Sequence, residues 1–174
     1  MNKNWYAVYT KSLCEKKVAA LLSKKRIENF HPQNRISPYN GNGKKIQLRS
    51  LFPSFVFVYI SDSEMQTVLQ TNDVINFIYW LGKPAVINMN EIENISHFTG
   101  SYCNIEIEKI TVNPNGIIKV SKQPDFELNV GVLSLKNTKI KLTLPSLGFA
   151  MIADSEKSSI DSLRYRFGNA RLVS

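Results

Sequence analysis

Residues 51–58 (LFPSFVFV) constrain the fold more than any other stretch, because they predict a strand with two apolar faces. Successive strand side chains point to opposite sides of a sheet, so Phe55, Phe57 and Tyr59 share one face and aliphatic residues share the other. One of these faces can build the core of a small domain. The aromatic face must either lie under a second layer or contact a partner, and the pattern alone leaves both readings open.

The chain has 174 residues, of which 43% are hydrophobic and 21% are charged. A chain of this length and balance is expected to fold and to bury a core without disulfides or metals. No stretch is long and apolar enough to cross a bilayer, and residues 1–5 lack the apolar segment of a signal peptide. We therefore expect a cytoplasmic protein without a membrane partner.

Residue types that carry catalysis or bind metals are scattered along the chain. Cys14 and Cys103 are far apart and lack ligand spacing, and no hydrolase, zinc or nucleotide motif surrounds His31 or His97. The acidic residues form no pair in apolar surroundings that could serve as an acid and a base. The sequence therefore predicts neither catalytic residues nor a metal or cofactor, and the protein is not expected to be an enzyme.

Positive charge is concentrated at the start of the chain. Residues 1–50 hold 11 Lys and Arg against 2 acidic residues, a net charge of +9, whereas residues 51–110 hold 2 against 7, a net charge of −5. Such polarity is typical of a protein whose basic end faces a polyanion, and nucleic acid is the commonest polyanion in a cytoplasm. A solvated lysine surface would give the same pattern, so both readings stay open.

A helix is predicted directly after the first strand. Ser12 and Glu15 have the spacing of a capping box, in which each side chain satisfies a backbone N–H at the start of a helix. Lys17 and Lys24, seven residues apart, line up along the flank of this helix, and Lys11 stands at the turn before it. These three lysines are the candidate basic face.

The first part of the chain alternates between strands and short helices. Runs of aromatic and β-branched residues predict strands, and acidic residues in a first turn indicate helix starts. The predicted elements are a strand at 5–10, extended chain at 27–32, a basic hairpin tip at 39–45, the strand at 51–58, a helix at 65–70, a strand at 74–81 and a helix at 90–98. This order predicts an α+β fold, with a mainly antiparallel sheet flanked by helices.

The pattern lapses between residues 100 and 116, and Asn113-Pro114-Asn115-Gly116 is the best boundary in the chain. Beyond it, short alternating runs joined by turns predict a small β-barrel. These runs lie at 117–121, 130–135, 139–144 and 149–153. The predicted organisation is a first domain at 1–110, a linker at 111–116, a barrel at 117–155 and a tail at 156–174.

Several sequence blocks, taken in order, resemble the N-terminal (NGN) domain of NusG-family transcription factors over residues 5–98. The blocks are WYAVYT at 5–10, EKKV at 15–18, FHP at 30–32, LFPSFVFV at 51–58 and GKPAVI at 82–87, followed by Glu91 and Ile92. Residues 142–149 (LTLPSLGF) resemble the KOW barrel of the same family. That variant of the barrel is similar to the one in the operon-specific UpxY-like and RfaH-like antiterminators.

The resemblance implies a transcription elongation and antitermination factor that binds bacterial RNA polymerase and suppresses pausing or termination. An aromatic patch on the NGN sheet would bind the clamp helices, and a position on the second helix would touch the gate loop of the other large subunit. The implied patch is Tyr9, Phe52, Phe55 and Phe57, and the implied gate-loop residues are Gln66 and Thr67.

The resemblance also implies that Lys11, Lys17 and Lys24 approach the upstream DNA fork and the displaced non-template strand. In contrast, the KOW loop at 123–128 (QPDFEL) lacks the glycines that are common in the family. This departure favours a specialised, operon-specific paralogue, and it leaves open whether the barrel docks on the ribosome or on a termination factor.

A ribosomal or other RNA-binding protein with a KOW barrel is the alternative reading. Such a protein would be expected to carry disordered basic tails, whereas the tail at 155–174 mixes acidic and basic residues. The polymerase reading is therefore favoured.

Overall fold

The computed structural model describes residues 2–37, 46–112, 118–120, 133–134 and 139–154. Its chain divides into two compact units, each made of two segments. The first unit is Met1–Gln33 with Ser50–Glu93, and the second is Asn34–Arg49 with Asn94–Ser174. The predictions made for 39–45, 113–116, 123–128 and 156–174 lie outside the described residues.

Strands and short helices alternate over the first hundred residues, as the sequence predicts. In chain order the elements are β1 (Asn4–Thr10), α1 (Glu15–Lys24), β2 (Glu28–Phe30), β3 (Gln33–Ile36), β4 (Gln47–Ser50), β5 (Phe55–Ile60), a 3-10 helix (Asp62–Glu64), α2 (Met65–Leu69), β6 (Val74–Phe77), β7 (Tyr79–Trp80), β8 (Lys83–Pro84), β9 (Val86–Ile87) and α3 (Met89–Ser101).

The sheet of the first unit has the strand order β2-β5-β1-β6, and β9 also pairs with β1. All of these pairings are antiparallel. Strand β1 lies in the middle and runs alongside β5 from Asn4 opposite Ile60 to Tyr9 opposite Phe55. The predicted α+β class with an antiparallel sheet is confirmed.

The aliphatic face of this sheet forms the core of the first unit. Val56, Val58 and Ile60 have no exposed surface and belong to one buried cluster with Val18 and Leu22 of α1. Because these helix residues are four apart, they lie on one side of α1 and meet the sheet together. The buried side of α1 and the aliphatic face predicted for the strand therefore form one interface.

Three local predictions in the first unit are wrong. The strand predicted at 51–58 begins only at Phe55 and runs to Ile60, because residues 51–54 form a turn in which Ser54 has a left-handed φ of +66°. Helix α1 starts at Glu15 without a side-chain cap, because Leu13 takes a left-handed φ of +62° just before the helix and Glu15 bonds elsewhere. A capping box is found instead at the 3-10 helix, where the Ser61 N–H donates to the Glu64 carboxylate at 2.9 Å. The capping-box spacing therefore marks a helix start at Ser61 and Glu64 but not at Ser12 and Glu15.

The strand predicted at 74–81 also ends early. Strand β6 stops at Phe77, and β7 and β8 form a separate hairpin whose two turn residues, Leu81 and Gly82, have φ values of +50° and +77°. Two left-handed residues in succession define the turn that matches the twist of a tight hairpin. The hairpin leaves Trp80 73% exposed.

The second unit contains a five-stranded antiparallel sheet with the order β11-β10-β14-β13-β12. Its strands are β10 (Glu106–Val112), β11 (Ile118–Val120), β12 (Leu133–Ser134), β13 (Lys139–Leu144) and β14 (Phe149–Asp154). Strands β13 and β14 pair from Lys139 opposite Asp154 to Leu144 opposite Phe149, across a turn in which Gly148 has a φ of +69°. The short strands predicted at 139–144 and 149–153 are confirmed.

The lapse expected between residues 100 and 116 is interrupted by β10. The β-branched residues Ile107, Ile110 and Thr111 favour a strand there, and β10 pairs with β14 from Glu106 opposite Ile152 onward. This sheet therefore begins before the boundary predicted at 111–116, and the domain limits themselves stay a prediction.

In the part of the chain that the structure describes, no helix is both long and apolar enough to cross a membrane. Among the same residues, no group of three or more His, Cys, Asp and Glu side chains comes together as a metal site would require.

We predict that Val56→Ala lowers the free energy of unfolding by about 2–3 kcal/mol, because it removes buried methyl groups from a fully packed position. The same substitution at Val86, which is 53% exposed, should change it by less than about 0.5 kcal/mol. Trp5 and Trp80 both belong to the first unit, so tryptophan fluorescence in urea follows this unit. Equal losses for the two variants would contradict the packing described here.

Candidate functional site

The aromatic face of the first sheet is open at one end. Tyr9 on β1 and Phe55 on β5 are directly opposite each other, with ring centroids 5.5 Å apart. The Tyr9 residue is 41% exposed and Phe55 is half-buried. This pair presents a contact surface formed by two rings, one of which carries a hydroxyl group.

Further along the same strand the aromatic face is covered. Phe57 is only 1% exposed, and its ring stacks on Phe30 with centroids 6.2 Å apart. Phe52, which is 4% exposed, meets Phe57 edge-on with centroids 5.7 Å apart. The covered reading therefore holds for Phe57, whereas Phe55 lies half-buried at the open end and contact with a partner stays a prediction.

The turn before β5 holds the open pair in place. Ser54 has a left-handed φ of +66°, and its carbonyl accepts a hydrogen bond from the Thr10 N–H at 2.8 Å. Its own N–H donates to Oε1 of Glu15 at 2.6 Å. A buried N–H left without a partner costs about 1–3 kcal/mol, so the Glu15 carboxylate stabilises this turn directly.

Glu15 lies in a small polar cluster beside the aromatic face. Burial acts to raise the pKa of Glu15, but hydrogen bonds from the Ser54 N–H, its own N–H and the Ser50 side chain, with the field of His31, outweigh burial and lower it. The Ser50 hydroxyl is 2.8 Å from Nε2 of His31. Burial lowers the pKa of His31, against the opposing field of Glu15. The cluster thus holds a charged carboxylate next to a ring that favours its neutral form.

Two of the three predicted lysines meet at one carboxylate. Lys17 Nζ lies 2.7 Å from Oδ2 of Asp73, and Lys11 Nζ lies 3.3 Å from Oδ1. The lysine side chains are 68% and 64% exposed for Lys11 and Lys17, whereas that of Asp73 is 15% exposed. The hydrogen bond from Lys17 lowers the pKa of Asp73, and the same bond raises the pKa of Lys17. The basic face is therefore partly neutralised from within.

The third lysine lies apart from this pair. Lys24 is exposed in the last turn of α1, about 10 Å along the helix axis from Lys17. Its neighbour Lys25 instead donates to the Thr67 carbonyl at 3.1 Å and to the Thr71 hydroxyl at 2.8 Å.

The predicted gate-loop residues Gln66 and Thr67 are exposed on α2. Because Lys25 bonds the backbone of Thr67, it ties the end of α1 to this helix. Lys25 was not selected from the sequence, since nothing local distinguishes it from Lys24.

Neither the ion pairs of Asp73 nor the hydrogen bond of Glu15 to the Ser54 turn was predicted from the sequence. Asp73 lies 56 residues beyond Lys17, and its only local signal is that Asp tolerates the left-handed φ of +69° found there. The spacing of Ser12 and Glu15 predicted a local capping box, but Glu15 accepts a long-range hydrogen bond from the Ser54 N–H instead. Within the described residues, the acceptors that organise the site thus come from distant parts of the chain.

Comparison with known proteins identifies the family. A family model described as transcription termination factor nusG matches residues 3–96. The transcription termination/antitermination protein NusG of Bacillus subtilis is 27% identical over 180 residues, covering 94% of this chain and 100% of the relative. Its counterpart from Halalkalibacterium halodurans is 26% identical over 181 residues, with the same coverage of each chain.

Two solved structures were also found. One, on domain interaction in Thermotoga maritima NusG, is 18% identical with a TM-score of 0.47, and covers 91% of this chain and 97% of that one. The other, a crystal structure of the MjSpt4:Spt5 complex, is 14% identical with a TM-score of 0.34, and covers 88% of this chain and 95% of that one.

The Glu15 hydrogen bond predicts a pH-dependent stability. Because folding lowers the pKa of Glu15, its stabilisation is present above the ordinary value of 4.5 and is lost as pH falls through the folded pKa. Gln can still accept the Ser54 N–H, so wild type should exceed Glu15→Gln by about 1 kcal/mol in free energy of unfolding at pH 7, the difference between a charged and a neutral acceptor. The difference should shrink steadily on acidification below pH 4.5.

The matched control is Glu28→Gln, which changes an exposed glutamate on β2 of the same sheet. Its difference from wild type should be small at neutral pH. A Glu15→Gln difference that did not depend on pH would show that the carboxylate charge plays no part in holding the turn.

Proposed function

Since this chain belongs to the NusG family, whose curated relatives are transcription termination and antitermination proteins, we propose that its first unit binds bacterial RNA polymerase at the clamp helices. The protein then acts by binding and by biasing a conformation, without a covalent step. The observation that carries the proposal is the Tyr9 and Phe55 pair at the open end of the aromatic face, where Tyr9 is 41% exposed and Phe55 is half-buried.

A partly exposed aromatic pair on a sheet can bind the side chains of a partner's helices. Aromatic side chains bury large areas at a small cost in conformational entropy, and Tyr is enriched among residues that dominate binding energy. Sheet residues are also held by ladder hydrogen bonds, so Tyr9 and Phe55 would lose little backbone freedom on binding.

Phe52 and Phe57 have a supporting role in this proposal. Both are buried, so they would fix the position of the open pair and would gain little new contact with a partner. The edge-on packing of Phe52 against Phe57 brings the turn before β5 onto the sheet. This assignment separates the four aromatic residues into two that touch polymerase and two that hold them.

A second contact would come from α2. Gln66 and Thr67 are exposed there, and we assign them to the gate loop of the other large polymerase subunit. A protein that bridges both large subunits would favour the closed clamp, in proportion to its preference for that state. Pausing or termination would then be suppressed.

The basic face would meet nucleic acid in the same complex. Lys11, Lys17 and Lys24 are all exposed, and we assign them to the upstream fork and the displaced non-template DNA strand. Lysines that reach phosphates add affinity without reading sequence. Sequence preference would therefore have to come from other residues.

We further propose that the protein acts in the cytoplasm and that it regulates the transcription of particular operons. Residues 123–128 (QPDFEL) hold no glycine, which supports a specialised role over ribosome binding through the second unit. Membership of the NusG family favours this reading over that of a ribosomal protein with a KOW barrel.

The test is the affinity of the full chain for a polymerase fragment that carries the clamp helices. Tyr9→Ala should weaken binding by roughly 2 kcal/mol, or about 30-fold, as is typical of an aromatic residue at the centre of an interface. It should cost little stability, because the Tyr9 residue is 41% exposed in the free protein. Calorimetry and urea unfolding give the two numbers for each variant.

Tyr79→Ala is the matched control, since Tyr79 is 49% exposed on the β7 and β8 hairpin outside the proposed patch. It should bind as wild type does. Phe57→Ala should lose roughly 3–5 kcal/mol of stability as a buried aromatic. If Tyr9→Ala and Tyr79→Ala bound equally well, the clamp site would not be the open end of the aromatic face.

A further inference from the structure

Asp73 pairs with two of the three lysines that are assigned to the proposed nucleic-acid face. Each oxygen of its carboxylate faces one ammonium group, with Lys17 at 2.7 Å and Lys11 at 3.3 Å. A phosphate group offers lysines the same chemistry, namely two or more anionic oxygens within hydrogen-bond distance. Nucleic acid can therefore reach these lysines only by taking them from Asp73 or by adding to a site that is already partly filled.

The backbone that carries the carboxylate is fixed, and the carboxylate is less exposed than the lysines. The Asp73 backbone has a left-handed φ of +69°, and its carbonyl accepts the Lys11 N–H at 2.9 Å. The Asp73 side chain is 15% exposed, while the two lysine side chains are more than 60% exposed. Lysine has a long flexible stem, so the ammonium groups can swing outward while the carboxylate stays in place.

We propose that Asp73 is an internal competitor for nucleic-acid phosphates at Lys11 and Lys17, and that it sets the affinity of this face for single-stranded nucleic acid. The proposal rests on the proposed function, in which these lysines meet the non-template strand. In the free protein the carboxylate keeps the basic face weak. When polymerase holds a strand against the same face, the high local concentration of phosphate displaces the carboxylate.

Competition by the Asp73 carboxylate would make nucleic-acid binding more selective but not tighter. A cytoplasm contains many nucleic acids that could bind an exposed basic helix through phosphate contacts alone. An internal carboxylate lowers all of these affinities together, because each one must replace the same ion pairs. Binding to a transcribing complex loses the same factor but stays strong, since the aromatic pair supplies affinity that does not depend on phosphate.

Asp73→Asn is a clean test, because Asn has nearly the same shape and tolerates a left-handed backbone as well as Asp does. The probe is a single-stranded DNA oligonucleotide binding to the full chain without polymerase. We expect the variant to bind about two- to tenfold more tightly at low salt, a range that the loss of two weak, exposed ion pairs can supply. The slope of log K against log salt should also steepen, by about 0.7 for one additional phosphate contact.

Glu64→Gln is the matched control for net charge. It removes one negative charge from the same unit and breaks a similar exposed ion pair, in which Lys3 Nζ lies 3.3 Å from Glu64. Gln can still accept the Ser61 N–H, so the capping box survives. If Glu64→Gln tightened binding as much as Asp73→Asn, the effect would be one of total charge, and the proposal would be overturned.

The double variant Lys11→Gln with Lys17→Gln separates this proposal from the proposed function. If it weakens DNA binding and Asp73→Asn does not tighten it, the lysines bind phosphate without competition and the inference alone fails. If the double variant binds DNA as wild type does, these lysines are not a nucleic-acid face and both proposals on them fail. If it binds more weakly and Asp73→Asn binds more tightly, the competitor role is supported. Urea unfolding of each variant checks that the fold is retained.

Discussion

The hydrogen bond from the Ser54 N–H to the buried carboxylate of Glu15 is the interaction on which the rest of the site depends. Glu15 is the first residue of α1, and Ser54 is the last residue before β5. The bond therefore fixes the helix that carries the basic face relative to the strand that carries the aromatic pair. It is strong because the acceptor is charged and shielded from water, and because the donor would otherwise be buried without a partner.

Strand alternation made much of the fold predictable from sequence. Val56 and Val58 alternate with aromatic residues, which is enough to assign one face of β5 to the core and to predict an antiparallel sheet with helices on it. The burial of Phe57 could not be predicted in the same way. A period of two tells which side a residue faces, but what covers that side depends on Phe30 and Phe52, whose positions are set by tertiary packing.

The lysines and the aromatic residues of the site could be predicted from the sequence. Lys11 and Lys17 are adjacent in space because a strand end and a helix start are adjacent in sequence. Asp73 is separated from both by more than fifty residues, so only the pairing of β6 with β1 brings it there. The topology of the sheet therefore brings the acidic side chain to the basic face, and local sequence patterns do not reveal it.

Leu13, Ser54 and Asp73 all adopt left-handed φ values, of +62°, +66° and +69°. Two of them bond directly to the end of β1, through the N–H groups of Thr10 and Lys11. Each such conformation costs a non-glycine residue on the order of 1 kcal/mol, so this corner of the protein is built at the expense of overall stability. An engineer seeking a more heat-resistant variant would find the easiest gains by placing glycine at Leu13, at the risk of loosening the geometry that holds the two surfaces together.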